Sequence, residues 1–147
     1  MLDARALRGL VPRLRRHAFL LTASRLAADI VVAMTIARLP RDEADRPQAS
    51  ALPVLFALMQ EAARQVVCPQ DGALIAPHDR LAALPPQQRA MLVLVVVEGL
   101  PESAAAAVCG LDADEGAAIL AAARGALGSG LRGHTPRARQ GGGGARR

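Results

Sequence analysis

The segment LAALPPQQRAMLVLVVVEGLPESAAAAVCGLDADEGAAILAAARGAL, residues 81–127, decides the fold of this chain. Its polar residues 87–89 follow two prolines, a pattern typical of a helix start. The apolar run after them is therefore predicted to be helical, although its valines favour a strand. A short alanine-rich helix is predicted over residues 101–109, ending at Gly110. A helix, a turn that contains glycine and a second helix is the layout of a helix-turn-helix unit.

The second helix of this unit begins with a capping pattern. Asp112 is followed three residues later by Glu115, which resembles a capping box with Asp in place of Ser or Thr. The apolar spacing predicts that this helix ends at Leu127. Its predicted outward face consists of Asp114, Glu115, Ala118, Ala121, Ala122 and Gly125.

The first part of the chain also shows helical spacing. Apolar residues recur at steps of three and four in a first helix, at Leu7, Leu10, Val11, Leu14, Ala18 and Leu21. Ser24 is expected to cap a second helix that ends before Pro40, and Ser50 to open a third. The predicted inner face of the second helix is Leu26, Ile30, Ala33, Met34 and Ala37. That of the third is Leu52, Leu55, Phe56, Met59, Ala63 and Val66.

These patterns predict an all-α chain of two small helical halves. The first half spans residues 1–67 and the second spans residues 80–127. Between them, residues 68–79 contain two prolines and one glycine and are predicted to be a linker. Residues 128–147, rich in Gly and Arg, are predicted to be a disordered tail. The halves are expected to pack on each other through Val66, Leu74, Ile75 and Leu81.

The charge is unevenly distributed. All 18 basic residues are arginine. Residues 1–131 hold 13 arginines and 13 acidic residues, a net charge of zero, and residues 132–147 hold the other five arginines. Residues 1–41 alone carry eight arginines against two aspartates, a net of +6. A basic tail on a neutral body is not the pattern of a generally basic nucleic-acid binder.

Several classes of protein are not expected. The apolar run at residues 91–97 is too short to span a membrane, and no signal peptide is recognisable, so we predict a cytoplasmic location. Cys68 and Cys109 are too few for a disulfide framework or a zinc site. The GSGLRG pattern at residues 128–133 follows a helix rather than a strand, which does not suit a dinucleotide site. We predict no enzyme activity, cofactor, metal or small-molecule substrate.

Parts of both halves resemble a known family. Residues 81–100, the short helix that ends at Gly110, and Ala123-Arg124 followed by Leu127 are similar to region 4 of sigma factors of the extracytoplasmic-function type. Residues 14–39, LRRHAFLLTASRLAADIVVAMTIARL, resemble region 2 of the same family more loosely. In such factors the second helix of region 4 enters a DNA major groove.

A subgroup of this family fits the sequence better. Asp29 with Val32, Ala33 and Thr35 resembles the sigma-like half of PhyR-type general-stress-response regulators. Those proteins imitate a sigma factor to bind its anti-sigma factor. They also carry a phosphorylated receiver domain, for which the residues after Leu127 offer no α/β pattern. The predicted outward face of the last helix has no arginine for phosphates or guanine, which favours a mimic over a promoter-binding factor.

The resemblance leaves three functions open. The favoured one is a sigma-factor mimic that regulates transcription by binding an anti-sigma factor. The second is a divergent extracytoplasmic-function sigma factor that binds core RNA polymerase and promoter DNA, and the third is a helical scaffold or adaptor. The partner is expected to offer amphipathic helices to an exposed apolar groove. The predicted partner-binding residues are Arg15, Arg16, Asp29, Met34, Ile36, Met91 and Leu94.

Overall fold

The structure, a computed structural model, describes residues 4–40, 47–66 and 78–132. Within these ranges it contains helices and turns but no strand, which confirms the all-α prediction. The helices are α1 (Ala4–Thr22), α2 (Arg25–Arg38), α3 (Gln48–Gln65), α4 (His78–Ala82), α5 (Pro86–Leu92), α6 (Glu102–Val108) and α7 (Ala113–Arg132). A π-helical turn, Val93–Val97, continues α5, so the valine-rich run is helical as predicted.

The helix boundaries agree with the sequence in part. Ser24 caps α2, since its Oγ accepts a hydrogen bond from the Ala27 amide at 3.2 Å. The third helix starts two residues before Ser50, at Gln48, directly after Pro47. The predicted linker ends earlier than expected, since its last two residues begin α4. The rest of the linker, residues 68–77, lies outside the described residues.

The last helix is longer than its predicted end at Leu127, because α7 continues to Arg132. Glycine ends a helix when it adopts a left-handed conformation, as Gly110 does with a φ of +72°. Right-handed glycine costs a helix only about 1 kcal/mol, so Gly128 does not stop α7. Residues 128–132 of the predicted tail therefore belong to α7, and the remainder of the predicted tail lies outside the described residues.

Helix α2 buries a different face from the one predicted. It packs against α1 and α3, and its buried residues are Ala27, Ala28, Val31, Val32 and Thr35. Leu26 and Ile30 are 61% and 42% exposed, and Ala33 and Ala37 are also exposed. Both sets have helical spacing, so periodicity does not distinguish them. The smaller side chains face the neighbours, which lets the three helices approach closely.

The two halves share one hydrophobic core. Its buried residues include Leu14 and Phe56 from the first half and Met91, Leu94 and Leu120 from the second. Helix α1 contacts α4, α5 and the π-helical turn, and α3 contacts α6.

The predicted packing residues can be placed in part. Val66 and Leu81 are partly buried against this core, as predicted, whereas Leu74 and Ile75 lie outside the described residues.

Helices α6 and α7 approach closely at Gly116. A Cβ atom built on Gly116 would lie 2.5 Å from the Cβ of Ala106 on α6. We therefore expect Gly116→Ala to lower the free energy of unfolding by about 1 to 3 kcal/mol through overpacking. Denaturant unfolding followed by circular dichroism measures this change.

The matched control is the same substitution at an exposed position of α7. Gly125 is exposed, and a Cβ atom built there meets nothing within 4 Å. Gly125→Ala should raise the free energy of unfolding by up to about 1 kcal/mol, because alanine favours the helix. Equal effects of the two substitutions would contradict the close contact.

Candidate functional site

The helix-turn-helix unit presents an acidic outer face. Gly116, Leu120 and Ala123 of α7 are buried against the core. The six predicted outward residues are all exposed, namely Asp114, Glu115, Ala118, Ala121, Ala122 and Gly125.

The first turn of α7 is held by the predicted capping box. Asp112 Oδ1 accepts from the Glu115 amide at 2.8 Å, and Glu115 Oε2 accepts from the Asp112 amide at 3.1 Å. Further along, Arg124 Nη1 lies 3.3 Å from Glu102 Oε1. This pairing directs the charge of Arg124 towards α6, and none of the six outward residues named above is basic.

An apolar stripe on α2 is exposed beside a group of arginines. We define the α2 outer stripe as Leu26, Ile30, Ala33 and Ala37, all of which are exposed. An open cavity of about 430 Å³ lies next to it, lined by Arg15, Arg16, Phe19, Arg25, Ala28 and Asp29. Three of the predicted partner-binding residues therefore meet at one place. Arg15 Nε lies 2.8 Å from Asp29 Oδ1, and both side chains are more than half exposed.

Two of the other predicted partner-binding residues do not lie at the surface. Met91 and Leu94 are fully buried, so their assignment to the partner surface was wrong. The apolar run that contains them faces α7 and α1, because the halves share one core. Met34 and Ile36 are half-buried and pack against the same core. Leu26 and Ile30, which were predicted to lie on the inner face of α2, are exposed.

A buried polar cluster joins the two halves at one point. Arg13 and His17 lie one turn apart on α1, and Glu98 directly follows the π-helical turn. Arg13 Nε donates to Glu98 Oε2 at 2.6 Å, and His17 Nδ1 lies 3.3 Å from Glu98 Oε1. The side chains of His17 and Glu98 are fully buried. The His17 ring also stacks on Phe56, with 4.6 Å between ring centroids.

The environment of Glu98 favours its charged form. Burial raises the pKa of Glu98, but the hydrogen bonds and positive charge of His17 and Arg13 outweigh burial, so the pKa lies below its ordinary value.

The sequence contained a weak signal for this cluster. His17 occupies an apolar position of α1, three residues after Leu14, and Glu98 ends a long apolar run. His17 and Glu98 are 81 positions apart in the chain, so the sequence gave no indication that the two pair.

The described residues give no support for a metal or membrane site. No three His, Cys, Asp or Glu side chains among them are grouped to hold a metal ion. None of the helices within the described ranges is long and apolar enough to cross a membrane.

Comparison with known proteins identifies the fold. No family model and no curated protein matches the sequence. Among solved structures, the chain is similar to the anti-anti-sigma factor PhyR from Bartonella quintana, crystallised with the anti-sigma factor NepR. The TM-score is 0.64 and the identity 24%, over 87% of this chain and 51% of PhyR. This chain thus spans about half the length of PhyR.

A second solved structure is similar along nearly its whole length. It is the sigma factor RpoE in complex with NepR, also from Bartonella quintana. The TM-score is 0.67 and the identity 21%, over 87% of this chain and 95% of RpoE. At these identities the likeness establishes the fold alone, which this chain shares with about half of PhyR and with nearly all of RpoE.

Proposed function

We propose that this chain is a sigma-like transcription regulator that acts as a mimic, binding an anti-sigma factor instead of promoter DNA. The fold supports the general class, since both similar structures are sigma-like proteins crystallised with an anti-sigma factor. Catalysis has no part in this role.

The acidic outer face of α7 is the main support for a mimic rather than a promoter-binding factor. In a helix-turn-helix protein the second helix must place donors against phosphates and base edges. Here the exposed residues of that helix include Asp114 and Glu115, and Arg124 is paired with Glu102. The negatively charged phosphate backbone of DNA repels an acidic face of this kind.

The α2 outer stripe is the proposed docking surface for the anti-sigma factor. Leu26 and Ile30 supply exposed apolar area in the middle of a basic region. Arg15, Arg16 and Arg25 line the adjoining cavity. A complementary partner is an amphipathic helix with acidic residues beside its apolar face. Arg15, Arg16 and Asp29 therefore remain proposed binding residues, with Leu26 and Ile30 in place of Met91 and Leu94.

The proposal is tested by measuring, with calorimetry, the binding of this chain to a NepR-type anti-sigma factor from the organism that encodes the chain. Leu26→Asp and Ile30→Asp should each weaken binding by at least about tenfold, because a charge replaces an apolar contact at the centre of the interface. Val96→Asp is the matched control, since Val96 is 63% exposed and lies outside the stripe. Val96→Asp should change the affinity by less than about twofold relative to the unchanged chain.

The contrary results are equally specific. Loss of binding in Val96→Asp with retention in Leu26→Asp would move the interface to the π-helical turn. No binding of the intact chain to any such anti-sigma factor, and none to polymerase, would favour a helical scaffold or adaptor.

A divergent sigma factor that binds core RNA polymerase and promoter DNA is the second candidate. The likeness to RpoE over 95% of that chain favours it. DNA binding separates the two candidates. We expect the full chain to bind promoter DNA no better than unrelated duplex, with any binding falling steeply with salt because it is purely electrostatic. A sequence-dependent footprint at physiological salt would establish the sigma factor and contradict the mimic.

A further inference from the structure

A second cavity, of about 470 Å³, lies where the two halves meet. The end of α1 and the turn after it, residues 21–23, form one side, and Gln60 and Arg64 of α3 form another. Ala82 and Arg89 of the second half close the remaining side. A volume of this size accommodates a small organic ligand.

Gln60 lines this cavity and carries an unsatisfied donor. The residue is 8% exposed, and its Nε2 has no hydrogen-bond partner among the described residues. A buried amide without a partner opposes folding. A hydrogen-bond acceptor inside the cavity would satisfy it.

Two arginines line the cavity. Arg89 is fixed in place, because its Nη1 donates to the Leu21 carbonyl oxygen and its Nη2 to that of Ala82, both at 2.6 Å. Arg64 is exposed at the rim and donates to Glu61 Oε2 at 2.7 Å. None of the described residues that line the cavity is acidic. Amide and guanidinium donors in one cavity suit an oxyanion.

We propose that this cavity binds a small oxyanion, the carboxylate or phosphate group of a metabolite. The anion accepts a hydrogen bond from Gln60 Nε2 and faces the guanidinium groups of Arg64 and Arg89. The lining residues come from both halves, so an occupied site stabilises their packed arrangement by mass action. This site gives the chain a ligand-dependent control of its shape, and it does not rest on the function proposed above.

Thermal unfolding of the full chain, titrated separately with inorganic phosphate and with acetate at constant ionic strength, tests the site. We expect a saturable rise of a few degrees in the unfolding midpoint with at least one anion. The side-chain amide resonance of Gln60 should shift over the same concentration range. A rise with phosphate alone indicates a phosphate ligand, and a rise with acetate alone indicates a carboxylate.

Gln60→Leu should abolish the saturable rise while keeping the ligand-free chain at least as stable, since it removes the unsatisfied amide. Gln87→Leu is the matched control, because Gln87 is exposed and does not line the cavity. If Gln60→Leu does not fold, Arg64→Gln should weaken the apparent affinity about tenfold. No rise with either anion, or the same rise in Gln60→Leu as in the unchanged chain, would overturn the proposal.

Discussion

Replacing Glu98 by alanine is expected to lower the free energy of unfolding by about 3 kcal/mol. The substitution leaves His17 fully buried and Arg13 two-thirds buried without the carboxylate that both contact. It also removes the charged link between α1 and the second half. Denaturant unfolding of the full chain measures the loss, and fluorescence transfer between labels on the two halves reports their separation.

The matched control is Glu102→Ala. Glu102 is paired with Arg124 at 3.3 Å, but both side chains are more than half exposed. Exposed pairs of this kind contribute less than about 1 kcal/mol. A similar loss in both variants would contradict a special role for the buried cluster.

The buried cluster of Arg13, His17 and Glu98 predicts that the stability of the chain depends on pH. The pKa of Glu98 is lower in the folded chain than in the unfolded chain. Its contribution to the free energy of unfolding is therefore present above the pKa of the unfolded chain, and it is lost as the pH falls through the pKa of the folded chain. The difference in stability between the unchanged chain and Glu98→Gln should therefore shrink below a pH of about 4.5. A constant difference from neutral to acidic pH would contradict this assignment.

Leu94→Asp is expected to unfold the chain. Leu94 is fully buried in the shared core, and a carboxylate there has no polar partner to offset its loss of hydration. The expected cost is at least about 4 kcal/mol, which is close to the whole stability of many small domains. Loss of the helical circular dichroism signal at room temperature, or a much lower unfolding midpoint, measures it.

Ile30→Asp provides the comparison, because Ile30 is 42% exposed on the α2 outer stripe. It should change the free energy of unfolding by less than about 1 kcal/mol. If Leu94→Asp folded as well as Ile30→Asp, Leu94 would be accessible and could take part in partner binding after all.

Most of the correct predictions from the sequence rest on residues that lie near one another in the chain. Ser24 and the pair Asp112 and Glu115 indicated helix starts, because a cap is formed within one turn. Gly110 indicated the turn between α6 and α7 for the same reason. Since α7 is regular, its spacing also predicted which of its residues are exposed.

The candidate docking surface was predicted only in part. Arg15, Arg16 and Asp29 do come together beside α2. The exposed positions of Leu26 and Ile30 could not be predicted, because two stripes of α2 have helical spacing and only the neighbouring helices decide which one is buried.

The sequence by itself therefore determined the all-α class, the caps, the turns and the acidic outer face of α7, all of which depend on contacts within a few residues. Only the tertiary structure decided that Met91 and Leu94 are buried and that His17 meets Glu98 across 81 residues. Burial and pairing of this kind depend on where distant helices pack, and the free energy of that packing comes from the shared core as a whole.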